Sequence, residues 1–165
     1  MKTPLQPVSS LNSYLGETLQ IDLVGPLKSP VHRYVLTAID VFTKYLFAVP
    51  LTNVRADTIA RELTSIFFRH SYLPKTILSD LGTSFVSALL HELTKLLEIQ
   101  LEHASLKHPQ TVGVVERSHS ALKRILSLNT NESWNDWFEY VQLTTFVHNT
   151  SNPSATDCNR TVFFH

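Results

Sequence analysis

Cysteine is nearly absent from the 165-residue sequence, and the single Cys158 excludes both an internal disulfide and a zinc site built on several cysteines. That scarcity fits a reducing, intracellular compartment. No apolar run approaches the roughly 20 residues that a membrane span needs. The N-terminal MKTPLQPVSSLNSY has a lysine with no continuous apolar stretch behind it, so no secretory signal is expected. An excess of one charge is missing too, because fourteen Lys and Arg balance fourteen Asp and Glu. A free-standing nucleic-acid binder is usually more basic, so this balance argues against tight binding of that kind by the chain alone. Neither an internal repeat nor a low-complexity segment is present. What remains is ordinary for a globular domain, with 43% hydrophobic and 17% charged residues. The length fits one domain with a sizeable core.

Residues 1–16 are rich in Pro, Ser and Asn without a clear period and read as a linker or tail. TLQIDLVG (18–25) alternates Leu19, Ile21 and Leu23 with other residues, the pattern of a strand. YVLTAIDVF (34–42) and YLFAVPL (45–51), separated by Thr43 and Lys44, read as a hairpin that completes three consecutive antiparallel strands. The period then changes. Val54, Ile59, Leu63, Ile66 and Phe67 predict a helix from Asn53 to about His70, and Pro74 stops it. KTILSD (75–80) is a short strand. SFVSALLHELTKLLE (84–98) is a helix with Ser84 as N-cap and Leu89, Leu93, Leu96 and Leu97 on one face. IQLEHA (99–104) is a strand, followed by a loop with His108 and Pro109. Two more helices are expected over about 112–128 and 134–149, divided by NTNES. This order, β-β-β-α-β-α-β-α-α, predicts an α/β fold with a mixed sheet of five strands and helices on both faces.

Only four glycines occur, and three attend an acid: Gly25 lies three after Asp22, Gly82 two after Asp80, and Gly113 three before Glu116. Glycine marks a tight turn or a close approach. Asp22 falls inside the first strand, Asp80 at the end of the fourth, and Glu116 on a helix. A carboxylate inside an apolar strand is destabilising unless a cation satisfies it. Two such acids at one end of a sheet repel each other until a metal ion joins them, and carboxylates are the ligands that Mg²⁺ and Mn²⁺ favour.

LQIDLVGPL, ILSDLGTSF and HPQTVGVVERSHSALKRIL, taken in that order, resemble the catalytic core of retroviral and gypsy-type retrotransposon integrases. Between Asp80 and Glu116 lie 35 residues, the gap which that family shows between its second aspartate and its glutamate. The resemblance runs from about Leu19 to about Asn149. It implies a ribonuclease-H-like fold, a catalytic core over 17–150 and a divergent tail over 151–165. It also implies that Asp22, Asp80 and Glu116 are catalytic residues holding two Mg²⁺ or Mn²⁺ ions, with Asp22 bridging them. Two ions about 3.5–4 Å apart suit an in-line displacement at phosphorus. By the same resemblance the substrate is DNA, trimmed at the element's ends and then joined to target DNA. The chain is then expected to act in the nucleus as a homodimer or higher oligomer. Full-length integrases also carry an N-terminal His-His-Cys-Cys zinc module and a C-terminal DNA-binding domain. Neither fits within this sequence, so it is expected to be an excised core or a shortened derivative.

Around Glu116 the sequence is locally basic, with Lys107, Arg117, Lys123 and Arg124 beside His108 and His119. On a helix Glu116, Ser120 and Lys123 share one face. The resemblance places DNA-phosphate contacts there, so Lys123, Ser120, Arg117 and Lys107 are the expected DNA-binding residues; such contacts position DNA without reading its sequence. Plainer readings stand beside these. Asp22 alone reads as a strand-edge or turn aspartate, Asp80 as a residue that caps the turn leading to the helix after Ser84, and Glu116, Lys123 and Arg124 as a solvated helix face. Asp40 is a tempting fourth acid that reads better as a hairpin-end residue. Trp134, Trp137, Phe138 and Val141 have the spacing of a helix face packed on the core. His103 and His108 flank the loop without forming a metal pair, and Cys158 is incidental. Two rival functions follow: a domesticated or decayed copy that binds DNA or protein without catalysis, and a ribonuclease H or other nuclease of the same fold class.

Overall fold

Alternating apolar residues make the first three strands, and the computed structural model pairs them as a meander: β1 (Thr18–Val24), β2 (Tyr34–Asp40) and β3 (Leu46–Leu51). The structure describes residues 15–27, 29–79, 88–103 and 140–151, together with 120, 122 and 138. Beyond the meander come α1 (Ala56–Arg69), β4 (Thr76–Ser79), α2 (Ala88–Leu96), β5 (Gln100–His103) and a helix over Tyr140–Ser151, here α3. The five strands lie in the order β3-β2-β1-β4-β5, with β1 antiparallel to β2 but parallel to β4, and β4 parallel to β5. The mixed five-stranded sheet expected from the sequence is therefore the one observed.

The two faces of the sheet bury different sets. Leu19 and Ile21 of β1, Leu36 and Ala38 of β2, and Phe47 and Leu51 of β3 pack with Ile59, Leu63, Ile66 and Phe67 of α1. The α1 residues recur at three- to four-residue spacing, so one stripe of the helix meets one face of the sheet. On the opposite face Val24 and Val35 join Leu122 and Val141 of α3, with Phe138 and Ala48 alongside. Each fully buried leucine or isoleucine contributes about 1.5–3 kcal/mol relative to exposure. Phe138 and Val141 thus pack on the core as their spacing predicts, whereas Trp134 and Trp137 lie outside the described residues.

The ends of elements depart from expectation for local reasons. Strand β2 stops at Asp40 rather than residue 42, because the Asp40 carboxylate captures the Thr43 backbone N–H (2.7 Å) and hydroxyl (2.9 Å). Lys44 then takes a positive φ of 63°, and β3 starts at Leu46. Helix α1 starts at Ala56 rather than Asn53, since the Asn53 side chain accepts from the Arg55 N–H (3.0 Å) and the Thr58 hydroxyl (2.9 Å) in a turn of its own. Val54 consequently lies outside the helix and is exposed. Leu93 of α2 and Leu97 just beyond it pack on the core, but Leu96 is 80% exposed, so it does not share their face as expected. Ser84 and its expected capping role fall outside the described residues, as does most of the helix expected over about 112–128. Two residues of that helix are described: Ser120 and Leu122 are both helical.

Helix α1 ends in a turn that glycine usually occupies. Ser71 has φ 47°, and the Tyr72 N–H donates to the Phe67 carbonyl at 3.0 Å, closing the last turn while both aromatic rings enter the core. A left-handed conformation is unfavourable for a residue with a Cβ. Ser71→Gly is expected to raise stability by about 1 kcal/mol, measured by urea unfolding; an unchanged or lower midpoint contradicts it.

Helix α3 meets the outer strand β3 through a side chain that imitates a strand. The Leu46 N–H donates to Asn149 Oδ1 (2.8 Å), and Asn149 Nδ2 donates back to the Leu46 carbonyl (2.9 Å). These are groups that β3 turns away from β2. Four residues along, Pro50 occupies an equivalent outward position, where its missing N–H forfeits no ladder bond.

Candidate active site

Asp22 sits in β1 opposite Thr37 of β2. The alternation of the strand puts Gln20, Asp22 and Val24 on the face that packs with α3, while Leu19 and Ile21 face α1. Asp22 is half-buried, and its Oδ1 accepts the Leu23 N–H at 2.7 Å. The Thr37 hydroxyl donates to the Asp22 carbonyl oxygen at 3.1 Å, fixing the backbone from the neighbouring strand.

Two further elements lead to this place. The parallel pairing of β1 with β4 sets Ile21 opposite Ser79, so β4 ends beside the residue that precedes Asp22. Asp80 follows Ser79 in sequence and lies outside the described residues, as do Glu116, Lys107, Arg117 and Lys123. From the third motif Ser120 is described and is exposed on its helix. Two residues on, Leu122 is 1% exposed in the same buried cluster as Val24, Val35 and Val141. The stretch that carries Ser120 is thereby anchored to the sheet face that carries Asp22. Among the described residues no group of three or more His, Cys, Asp or Glu gathers to hold a metal ion. The Asp22 carboxylate is an oxygen ligand of the kind that suits Mg²⁺ or Mn²⁺, and two residues before it the buried Gln20 Oε1 has no hydrogen-bond partner among the described residues.

Asp40 is no part of this constellation. It is fully buried, and its carboxylate accepts the Gly16 N–H (2.9 Å) and the Tyr72 hydroxyl (2.8 Å) in addition to the two bonds from Thr43. These partners come from the entry to β1, the segment after α1 and the β2–β3 turn, so Asp40 ties three connections together. The reading of a hairpin-end residue holds, with a larger structural role than its position suggests. Gly25 answers to the chain's own backbone: it has φ +133°, and a Cβ there would lie 2.5 Å from the Arg33 carbonyl oxygen. The close approach that this glycine permits is that of the residues leading into β2. Gly82 and Gly113 lie outside the described residues.

Sequence reasoning passed over Gln20 and Asn149, both polar positions inside otherwise apolar patterns. It also passed over a groove of about 360 Å³ where α1 and α3 flank β3, lined by Phe47, Ile66, Arg69, His70, Phe146 and Asn149 among others. Burial and the neighbouring Arg69 push the His70 imidazole below its ordinary range. The groove brings no acids together beyond Glu62, so metal chemistry does not belong there.

Residues 15–109, more than half of the chain, match the family model described as the integrase core domain. The chain is 31% identical over 151 residues to the retrovirus-related Pol polyprotein from transposon 412 of Drosophila melanogaster, covering 90% of this chain and 12% of that protein. It is 30% identical over 141 residues to gypsy retrotransposon integrase-like protein 1 of Bos taurus, covering 82% of this chain and 27% of that protein. The chain thus spans only a minor part of these relatives' length. Among solved structures, the catalytic core domain of BIV integrase superposes with a TM-score of 0.65 at 21% identity, covering 81% of this chain and 84% of that one. The likeness shows the ribonuclease-H-like fold. By its sequence match and its fold together, the chain belongs to the integrase core domain family.

Proposed function

We propose that the chain is a polynucleotidyl transferase that trims DNA ends and joins them to target DNA in the nucleus, with Asp22, Asp80 and Glu116 holding two Mg²⁺ or Mn²⁺ ions. The observation that supports this most is the arrangement around Asp22. A carboxylate stands in the central strand, β4 ends beside it one residue before Asp80, and Leu122 holds the Ser120 stretch against the same face. When bound, the ions would polarise the phosphate and favour both the attacking and the leaving oxygen. The protein's own part is to bind and orient. Asp22 is fixed by strand pairing, and Lys107, Arg117, Ser120 and Lys123 would take DNA phosphates. No covalent protein intermediate is needed, since water or a DNA 3′-hydroxyl serves as nucleophile. A dimer or higher oligomer belongs to the same reading, and the exposed Leu143, Phe146 and Val147 on α3 are consistent with it.

The purified chain is expected to reverse strand transfer on a branched DNA in the presence of Mn²⁺ or Mg²⁺ and not in EDTA. No product with either metal, from a folded chain, sinks the catalytic assignment. The balanced charge supports a second reading, a derived copy that binds without catalysis. Calorimetry separates the two: an absence of Mn²⁺ binding at millimolar concentration favours the inert protein.

A further inference from the structure

Three buried side-chain atoms among the described residues have no hydrogen-bond partner: Gln20 Oε1, His32 Nδ1 and Thr144 Oγ1. Only Gln20 lies on the strand that carries Asp22. It is 8% exposed, and its neighbours across the sheet are Ile39, fully buried, on β2 and Leu78 on β4. An amide among aliphatic neighbours is destabilising when its oxygen is unpaired, and leucine or methionine would fill the same space without that penalty. The position therefore holds a polar group that the fold itself does not use.

Gln20 and Asp22 share a face two residues apart, about 7 Å along a strand. The unpartnered atom is a carbonyl oxygen, which can only accept. A nucleic-acid phosphate offers only acceptors and cannot satisfy it. The water shell of a divalent cation offers only O–H donors, and Mg²⁺ in particular keeps several of its waters when bound. Groups that accept from metal-bound ligands orient them and set affinity.

We infer that Gln20 is a positioning residue for the cation site at Asp22: its Oε1 accepts a hydrogen bond from a water on the ion that Asp22 holds. The inference rests on the metal-binding reading given above and names an additional residue for it. The substitutions Gln20→Leu and Gln20→Glu in the full chain test it, with Mn²⁺ affinity read by calorimetry and melting temperature read without metal. Gln20→Leu is expected to weaken Mn²⁺ binding about 10-fold or more while keeping or raising the metal-free melting temperature. Gln20→Glu keeps an acceptor oxygen and is expected to retain Mn²⁺ binding. A Gln20→Leu chain that binds Mn²⁺ like the wild type overturns the role of Gln20 alone. A Gln20→Leu chain that melts far below the wild type without metal shows a structural amide and overturns it as well. A wild-type chain that binds no Mn²⁺ overturns the metal-binding reading itself, and this inference with it.

Discussion

Asp40→Ala is expected to lower the folding free energy by about 3–5 kcal/mol, because it strands donors from three separate connections at once. The Gly16 and Thr43 N–H groups and the Thr43 and Tyr72 hydroxyls all donate to this one fully buried carboxylate. Hydrogen bonds to a charged group are worth about 1.5–3 kcal/mol each, and the hydroxyls can turn elsewhere while the two backbone N–H groups cannot. Since domains are stable by only about 5–15 kcal/mol, this one change consumes much of the margin. Asp40→Asn should fall between: one oxygen still serves Thr43, but an amide nitrogen now faces both the Gly16 N–H and the Tyr72 hydroxyl, which donate to the same Oδ2. Tyr72→Phe, which removes a single donor, should cost about 1 kcal/mol. Urea unfolding of the three variants is the check. An Asp40→Ala midpoint close to that of Tyr72→Phe means that Asp40 is not the tie described.

The second large effect is on activity. Asp22→Asn is expected to abolish metal-dependent strand transfer, by about a thousandfold or more, since on the proposed reading it removes a carboxylate that would hold the ions, and with it several kcal/mol of transition-state stabilisation. The same change should leave the metal-free protein as stable as before, because an asparagine Oδ1 can still accept the Leu23 N–H that Asp22 accepts at 2.7 Å. Metal linkage supplies an independent measurement. At a concentration about 100 times Kd, a bound ion stabilises by about 2.7 kcal/mol, or roughly 5–10 °C for a domain of this size. Wild type should show that rise with Mn²⁺, and Asp22→Asn should not. Retained activity with a normal fold excludes Asp22 from the site.

The sheet was legible in the sequence because its strands alternate and its helices do not. Element ends were less so, for physical reasons that belong to single side chains. Asp40 and Asn53 spend their side chains on local turns, and nothing in the spacing of Val54 or Leu96 tells an exposed apolar residue from a buried one. Asp22 was legible as a charge inside an apolar strand. Gln20 was not, because a polar residue at alternate spacing in a strand reads as solvent-facing, and only the second layer formed around Val24, Leu122 and Val141 reveals that this face is covered. Gly25 was read correctly as a place of close approach, yet what approaches is the Arg33 carbonyl.

The Asn149 amide that pairs with Leu46 has a consequence for solubility. An outer strand with open N–H and C=O groups is a template for another chain, and intermolecular pairing of that kind leads to swapped dimers and fibrils. In β3 one such position is occupied by the amide, and another is blunted by Pro50. The last turn of α3 therefore acts as a stopper against self-templating. A chain cut ahead of Asn149 would retain all five strands and still be prone to aggregate.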